Sequence, residues 1–222
     1  MTLLITGLVL FLGIHSTRIF ADDARTRFIA QRGERTWKGL FSLVSAIGIG
    51  LIVWGYGQAR QQPVVLWASP AWMRHVAMAL TLVAFVFITA AYVPFNGIKA
   101  RLHHPMILGT KTWALAHLLA NITLADVLLF GGFLVWAVLS FRAARARDRA
   151  GNVSYPPGNM SATVRTIVVG LFVWAGFAFW AHGYVTGVSL QARAGDPYPV
   201  RITEMCSVPL SGNHTSPGRP RI

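Results

Sequence analysis

Cysteine occurs once in the 222 residues, as Cys206, and aspartate and glutamate together number only seven. A single thiol excludes an internal disulfide and any multi-thiolate metal site. No two carboxylates are spaced as an acid–base pair. HExxH, GxSxG, GxGxxG and phosphate-loop patterns are all missing, so hydrolase, kinase and dinucleotide-binding readings find no support. C-x-x-C-H is missing too, which excludes covalent attachment of a c-type haem. Also lacking is any long polar interval between residues 2 and 190.

What fills that stretch is apolar. Hydrophobic residues make up 54% of the chain and charged ones 12%, half the share of an average soluble domain, so lipid is the expected solvent. Apolar segments lie near residues 2–18, 39–57, 71–93, 105–121, 124–141 and 163–188. Crossing a hydrocarbon core of roughly 30 Å takes about 20 apolar residues, and helices satisfy the backbone there. The expected fold is an all-α bundle of about six transmembrane helices. It forms one domain over residues 1–190, followed by a polar, disordered tail over 191–222 that is rich in Pro, Gly, Ser and Arg. No Lys or Arg precedes the first segment and no small-x-small cleavage site follows it, so it reads as a retained helix and not a signal peptide.

The net charge of +13 resides in Lys and Arg lying between the apolar runs, not along one face, so nucleic acid is not an expected partner. Cytoplasmic loops collect Lys and Arg, and anionic membrane lipid is the partner they imply. With six crossings and the N-terminus outside, the inner connections hold Arg18 to Lys38, then Lys99, Arg101 and Lys111, then Arg142 to Arg165. The outer ones hold only Arg60 and Arg74. The weakest segment, 105–121, is short and carries Lys111 and His117. Without it as a crossing, Arg142–Arg149 would face the wrong side. Tryptophans near the expected helix ends, Trp136 among them, read as interfacial anchors.

Ionisable groups inside a bilayer demand a partner or a function. His15 lies about 20 Å along the first helix and His117 about 18 Å along the fourth, which runs the opposite way. That places them about 10 and 18 Å from the inner edge. Two neutral imidazoles projecting from facing helices can hold a haem iron axially. Thr110, Trp113, His117 and Asn121 share one face of the fourth helix. This stripe either lines a cofactor pocket or bonds to neighbouring helices, and spacing leaves both readings open. His103 and His104 read as a solvated basic loop. Arg18, Arg101 and Lys111 suit anionic groups, whether haem propionates or lipid phosphates. His75 and His182 fall near the outer surface and read first as wetted interfacial side chains, with a second pair as the alternative, and His214 falls in the tail. Asp126 reads as a helix-start residue and Asn121-Ile-Thr as turn chemistry.

GIHSTR at 13–18 and RLHHPMILGTKTWALAHLLAN at 101–121, followed by LLFGGFLVWA, resemble the NnrU family over roughly residues 1–190. Its members are bacterial membrane proteins linked to nitrogen-oxide metabolism and denitrification, and are related to zeta-carotene isomerases. The resemblance implies residence in the bacterial inner membrane, nitrogen-oxide respiratory proteins as partners, and haem b bound through His15 and His117, with Trp113 beside them. Where the isomerases carry a cysteine after that tryptophan, this chain has Ala114, which argues against a thiolate switch and against isomerisation of a carotenoid or other polyene. Asn121-Ile122 stands where the family usually has Asn-Gly, and the tail has no family counterpart. The alternatives are a haem-dependent cis–trans isomerase of such a polyene lipid, which Ala114 argues against, and a cofactor-free membrane scaffold.

Overall fold

The computed structural model describes residues 1–183, all of whose regular elements are helical. They are α1 (Thr2–His15), α2 (Thr17–Phe20), α3 (Asp22–Arg32), α4 (Glu34–Ala59), α5 (Met73–Tyr92), α6 (Gly97–Leu102), α7 (Pro105–Ala120), α8 (Leu124–Ala150) and α9 (Met160–Gly176). A π-helical turn, Phe177–Ala181, follows. The chain divides into two units after Phe177, and apart from the end of the last candidate span everything below concerns the first, Met1–Phe177. The expected tail, Cys206 and His214 lie outside the described residues, as do the last residues of the sixth expected segment.

Four helices are long and apolar enough to cross a membrane: Glu34–Ala59, Met73–Tyr92, Leu124–Ala150 and Met160–Ala181. Their outward faces carry large apolar side chains, with Val135 60% and Phe172 76% exposed, as lipid-facing positions require. The other two expected spans, α1 and α7, have 14 and 16 residues. At 1.5 Å per residue they reach about 21 and 24 Å, short of a full hydrocarbon core.

Boundaries depart from the hydropathy reading in three places. The first segment stops at His15, where the Ser16 and Thr17 hydroxyls bond back to the Leu12 and Ile14 carbonyls. The basic stretch after it, read as loop, folds into α2 and α3. α8 runs on to Ala150, nine residues past the expected end, because its Arg- and Ala-rich last turns are good helix formers and cations suit a helix C-terminus.

α1 lies antiparallel against α4 at very short range. A β-carbon on Gly7 would come within 2.6 Å of the Ile52 amide nitrogen, so only glycine permits this approach. α1 runs parallel to α8, which it meets through Phe11–Phe133 and His15–Trp136 ring contacts. α7 packs between α5 and α8, and α9 packs on α5. Leu4, Leu8, Ile52, Ala125, Leu129 and Phe130 form the buried core where α1, α4 and α8 meet.

Connections gather at two ends. At one, the Arg147 guanidinium donates to the Arg18 carbonyl, His104 meets Asp148, and the Asn159 amide donates to the Phe95 carbonyl. At the other, the α4–α5 loop lies along the α7–α8 turn, with Leu66 N donating to Ile122 O and Ser69 Oγ to Leu119 O. The Thr123–Asp126 turn is a complete capping box, as a helix-start role for Asp126 requires.

Candidate functional site

His15 ends α1 and is half-buried among aromatic rings. Phe11 stacks on it at 4.2 Å, Phe41 of α4 lies at 4.7 Å and Trp136 of α8 stands edge-on at 6.0 Å. Its Nδ1 lies 2.7 Å from the Phe11 carbonyl oxygen. A carbonyl only accepts, so Nδ1 carries the hydrogen and the neutral ring keeps its lone pair on Nε2. That tautomer is the one a metal ligand needs, held by the backbone bond that usually orients such a ligand.

Two buried polar atoms near this depth have no hydrogen-bond partner, Trp136 Nε1 on α8 and Ser45 Oγ on α4. The antiparallel register sets Gly48 against Phe11 and Phe41 against His15, which places Ser45 beside the last turn of α1. Buried donors without partners are uncommon and call for an explanation, and a bound polar group is one.

His117 sits deeper. Its ring stacks on Phe130 at 4.5 Å, with Trp113 at 5.2 Å. The Asn121 side-chain nitrogen lies 3.3 Å from His117 Nδ1 and also donates to the His117 carbonyl. An amide nitrogen only donates, so in this arrangement Nδ1 accepts and Nε2 bears the proton. Of the rest of the α7 stripe, Thr110 bonds back to the Met106 carbonyl.

The two histidines touch α8 at Trp136 and Phe130, six residues apart, or about 9 Å along the axis. They do not face one another. A continuous chain of ring contacts runs from His15 through Phe11, Phe133 and Trp113 to His117, with Phe133 5.7 Å from Phe11 and 5.6 Å from Trp113. A haem held between two imidazoles needs both lone pairs aimed at one iron. The residues therefore fit such a group on one side: His15 is prepared as a ligand, whereas His117 would require its Asn121 contact reversed and the intervening rings displaced. Among the described residues no three His, Cys, Asp or Glu side chains cluster as a metal site. Ala114, where the isomerases carry cysteine, is fully buried.

The cationic candidates are not gathered at the histidines. Arg18 pairs with Asp22 at 3.5 Å, Arg101 is exposed on α6, and Lys111 is half-buried on α7, six residues before His117.

His103 and His104, expected in a solvated loop, instead anchor a polar cluster. His104 Nε2 lies 2.8 Å from Asp148 Oδ2, and the Tyr155 hydroxyl donates to the same oxygen at 3.0 Å. His103 stacks on Tyr155 with centroids 4.1 Å apart and accepts from Arg145 through Nδ1. Its φ of 66° lies in the left-handed region that a residue with a side chain seldom adopts, and it forms the sharp junction between α6 and α7. Desolvation, with the bond to Asp148, pushes the Tyr155 phenol above its usual range. The cluster ties the start of α7 to the end of α8 and the loop after it. Only its adjacent histidines were visible in the sequence.

Trp136 and Ser45 were missed as site residues because each looks ordinary from sequence: an interfacial tryptophan and a serine in an apolar helix. A second polar knot adds Tyr56, which sequence did not single out, to the helix-start residue Asp126. Asp126, only 4% exposed, accepts from the Tyr56 hydroxyl at 2.5 Å and from Thr123 Oγ1 at 2.6 Å.

Comparison with curated proteins and with solved structures finds no match. Comparison with protein families does: residues 3–190 match the family described as NnrU protein. With four candidate spans and a match over most of its length, this chain is a multi-pass membrane protein that belongs to the NnrU family.

Proposed function

We propose that this NnrU protein binds haem b at His15 and supports nitrogen-oxide metabolism from the bacterial inner membrane. The observation that carries the reading is the tautomer of His15. Its Nδ1–H is held by the Phe11 carbonyl, its Nε2 lone pair is left for a metal, and two unpartnered donors, Trp136 Nε1 and Ser45 Oγ, lie near the same depth. The haem would supply one-electron and nitrogen-oxide ligand chemistry. The chain supplies orientation through α1, exclusion of water by the Phe11, Phe41 and Trp136 rings, and hydrogen-bond donors for a polar group. His117 is a second axial ligand only after its contact with Asn121 reverses.

The membrane topology belongs to the same proposal. Six crossings with the N-terminus outside account for the two ends of the fold, since Arg18, His104, Arg147 and Asn159 share one end and the α4–α5 loop and α7–α8 turn share the other. α1 and α7 are then the two short crossings, matched to lipid by local thinning or by the polar residues at their ends.

The expected physiological result is that a His15→Ala strain loses nitrite or nitric oxide reduction at unchanged protein level. Undiminished reduction contradicts the proposed role. One observation favours a second reading, a cofactor-free scaffold: the unbroken ring contacts between His15 and His117 already form a packed aromatic core. That reading predicts colourless protein. Polyene isomerisation gains nothing from the site, with Ala114 sealed inside α7.

A further inference from the structure

Between the surface helix α3 and the start of α4 lies an open groove of about 220 Å³, lined by Thr17, Ala21, Ala24, Arg25, Phe28 and Trp37. Its floor is apolar: Phe28 and Trp37 meet edge-to-face at 5.8 Å, and the two alanines leave the space open. Its rim is cationic. The Arg25 guanidinium sits 5.7 Å from the centre of the Trp37 ring, and Arg18 is half-exposed beside it. Both arginines approach one carboxylate oxygen of Asp22, at 3.5 and 3.8 Å. These distances are too long for hydrogen bonds, and that oxygen has no hydrogen-bond partner. Arg147 arrives from α8 and donates to the Arg18 carbonyl at 2.8 Å. Nearby Glu34 is taken up by Lys38, and Asp23 makes no ion pair among the described residues. Two guanidinium groups thus share one weakly engaged carboxylate and a third is held on the Arg18 carbonyl, beside an apolar slot at the end of the fold where the basic connections gather.

We propose that this groove is a binding site for a single anionic glycerophospholipid. The glycerol end and first acyl carbons lie on Phe28, Trp37 and the alanines, and the phosphate is taken by Arg18 and Arg25, which turn from Asp22 to make charge-assisted hydrogen bonds. The complementarity selects the occupant. Two cations against Asp22 leave a positive balance that a headgroup of net charge −1 neutralises and a zwitterionic one does not. A tryptophan and arginines at this level are the groups that membrane interfaces favour. The site stands independently of any cofactor at His15.

Native mass spectrometry of the full chain in mild detergent, titrated with dioleoyl phosphatidylglycerol or dioleoyl phosphatidylcholine, tests this. The wild type is expected to retain one phosphatidylglycerol in preference to phosphatidylcholine. Arg25→Gln should lower that preference about fivefold, the value of one arginine near an anionic headgroup. Ala24→Phe, on the exposed face of α3, should fill the slot and reduce retention of both lipids. Arg74→Gln, a cation at the other end of the fold, serves as control and should change nothing. Equal retention of the two lipids, or a preference indifferent to both Arg25→Gln and Ala24→Phe in variants with wild-type circular dichroism, overturns the proposal.

Discussion

Replacing Gly55 with valine is expected to separate α1 from α4 and to cost about 3 kcal/mol or more, at the upper end of what overpacking exacts. A β-carbon at Gly55 would overlap the backbone of Leu3 and Leu4, and backbone cannot turn aside as a side chain can. Lower down, a β-carbon on Gly48 would fall 2.9 Å from the Phe11 amide nitrogen, so α1 is held at backbone distance over several turns. In lipid no hydrophobic force presses helices together, and close packing of small residues carries the association. Since α1 carries His15 and α4 carries Phe41 and Ser45, the same change should dismantle the His15 site. Reversible unfolding in mixed detergent micelles measures the cost. A Gly55→Val protein of wild-type stability would show that α1 does not dock this way.

Asp126→Ala is the next largest. The carboxylate accepts three hydrogen bonds, from the Tyr56 hydroxyl, the Thr123 hydroxyl and the Thr123 amide at 2.9 Å, while almost wholly buried. Its removal takes the acceptor from two part-buried hydroxyls and breaks the reciprocal half of the α8 capping box, Thr123 N to Asp126. Bonds to a charged group contribute about 1.5–3 kcal/mol and a cap about 1, and these overlap, so a loss of about 3 kcal/mol is expected. Asp126→Asn, which keeps acceptor capacity and shape, should lose less. The disturbance reaches the histidine region because Phe130, one turn on, packs against both Tyr56 and His117. The same micelle unfolding assay, run on both variants, checks the order; an alanine variant no weaker than the asparagine one would contradict this account of the knot.

These two sites show which features sequence conveys and which it does not. Apolar length marked the four long helices α4, α5, α8 and α9, because lipid imposes one requirement on every crossing, but it carried the first segment past His15, where α1 ends. The cap at Thr123–Asp126 was legible because a short turn before an apolar run leaves amide groups that only a few side chains satisfy. The last turns of α8 were not, since hydropathy treats Arg142–Arg149 as loop although arginine and alanine are strong helix formers. That boundary decided the reading of Trp136. With α8 ending near residue 141 it looks interfacial, but with α8 ending at Ala150 it lies about 21 Å from the helix end, inside the bundle beside His15. The histidines illustrate the same limit. Spacing placed them on facing helices, but whether two imidazoles meet depends on the intervening residues, and Phe11, Phe133 and Trp113 are distant from one another in sequence. The His104–Asp148–Tyr155 cluster joins residues more than forty positions apart, so no local pattern announces it.

Arg18 also reads differently in the fold. From sequence it suits a haem propionate, and in the structure it turns to Asp22 at the lip of the α3–α4 groove. The proposed haem site therefore rests on His15, with Trp136 and Ser45 near it, and not on Arg18.

The most direct test of the central claim is the visible absorption spectrum, with a pyridine haemochrome assay, of protein purified in detergent from haem-supplemented cells, compared among wild type, His15→Ala and His117→Ala. A haem b Soret band that vanishes in His15→Ala and survives in altered or unaltered form in His117→Ala is the predicted result. A folded protein that is colourless in all three, or one whose haem is indifferent to His15, contradicts it.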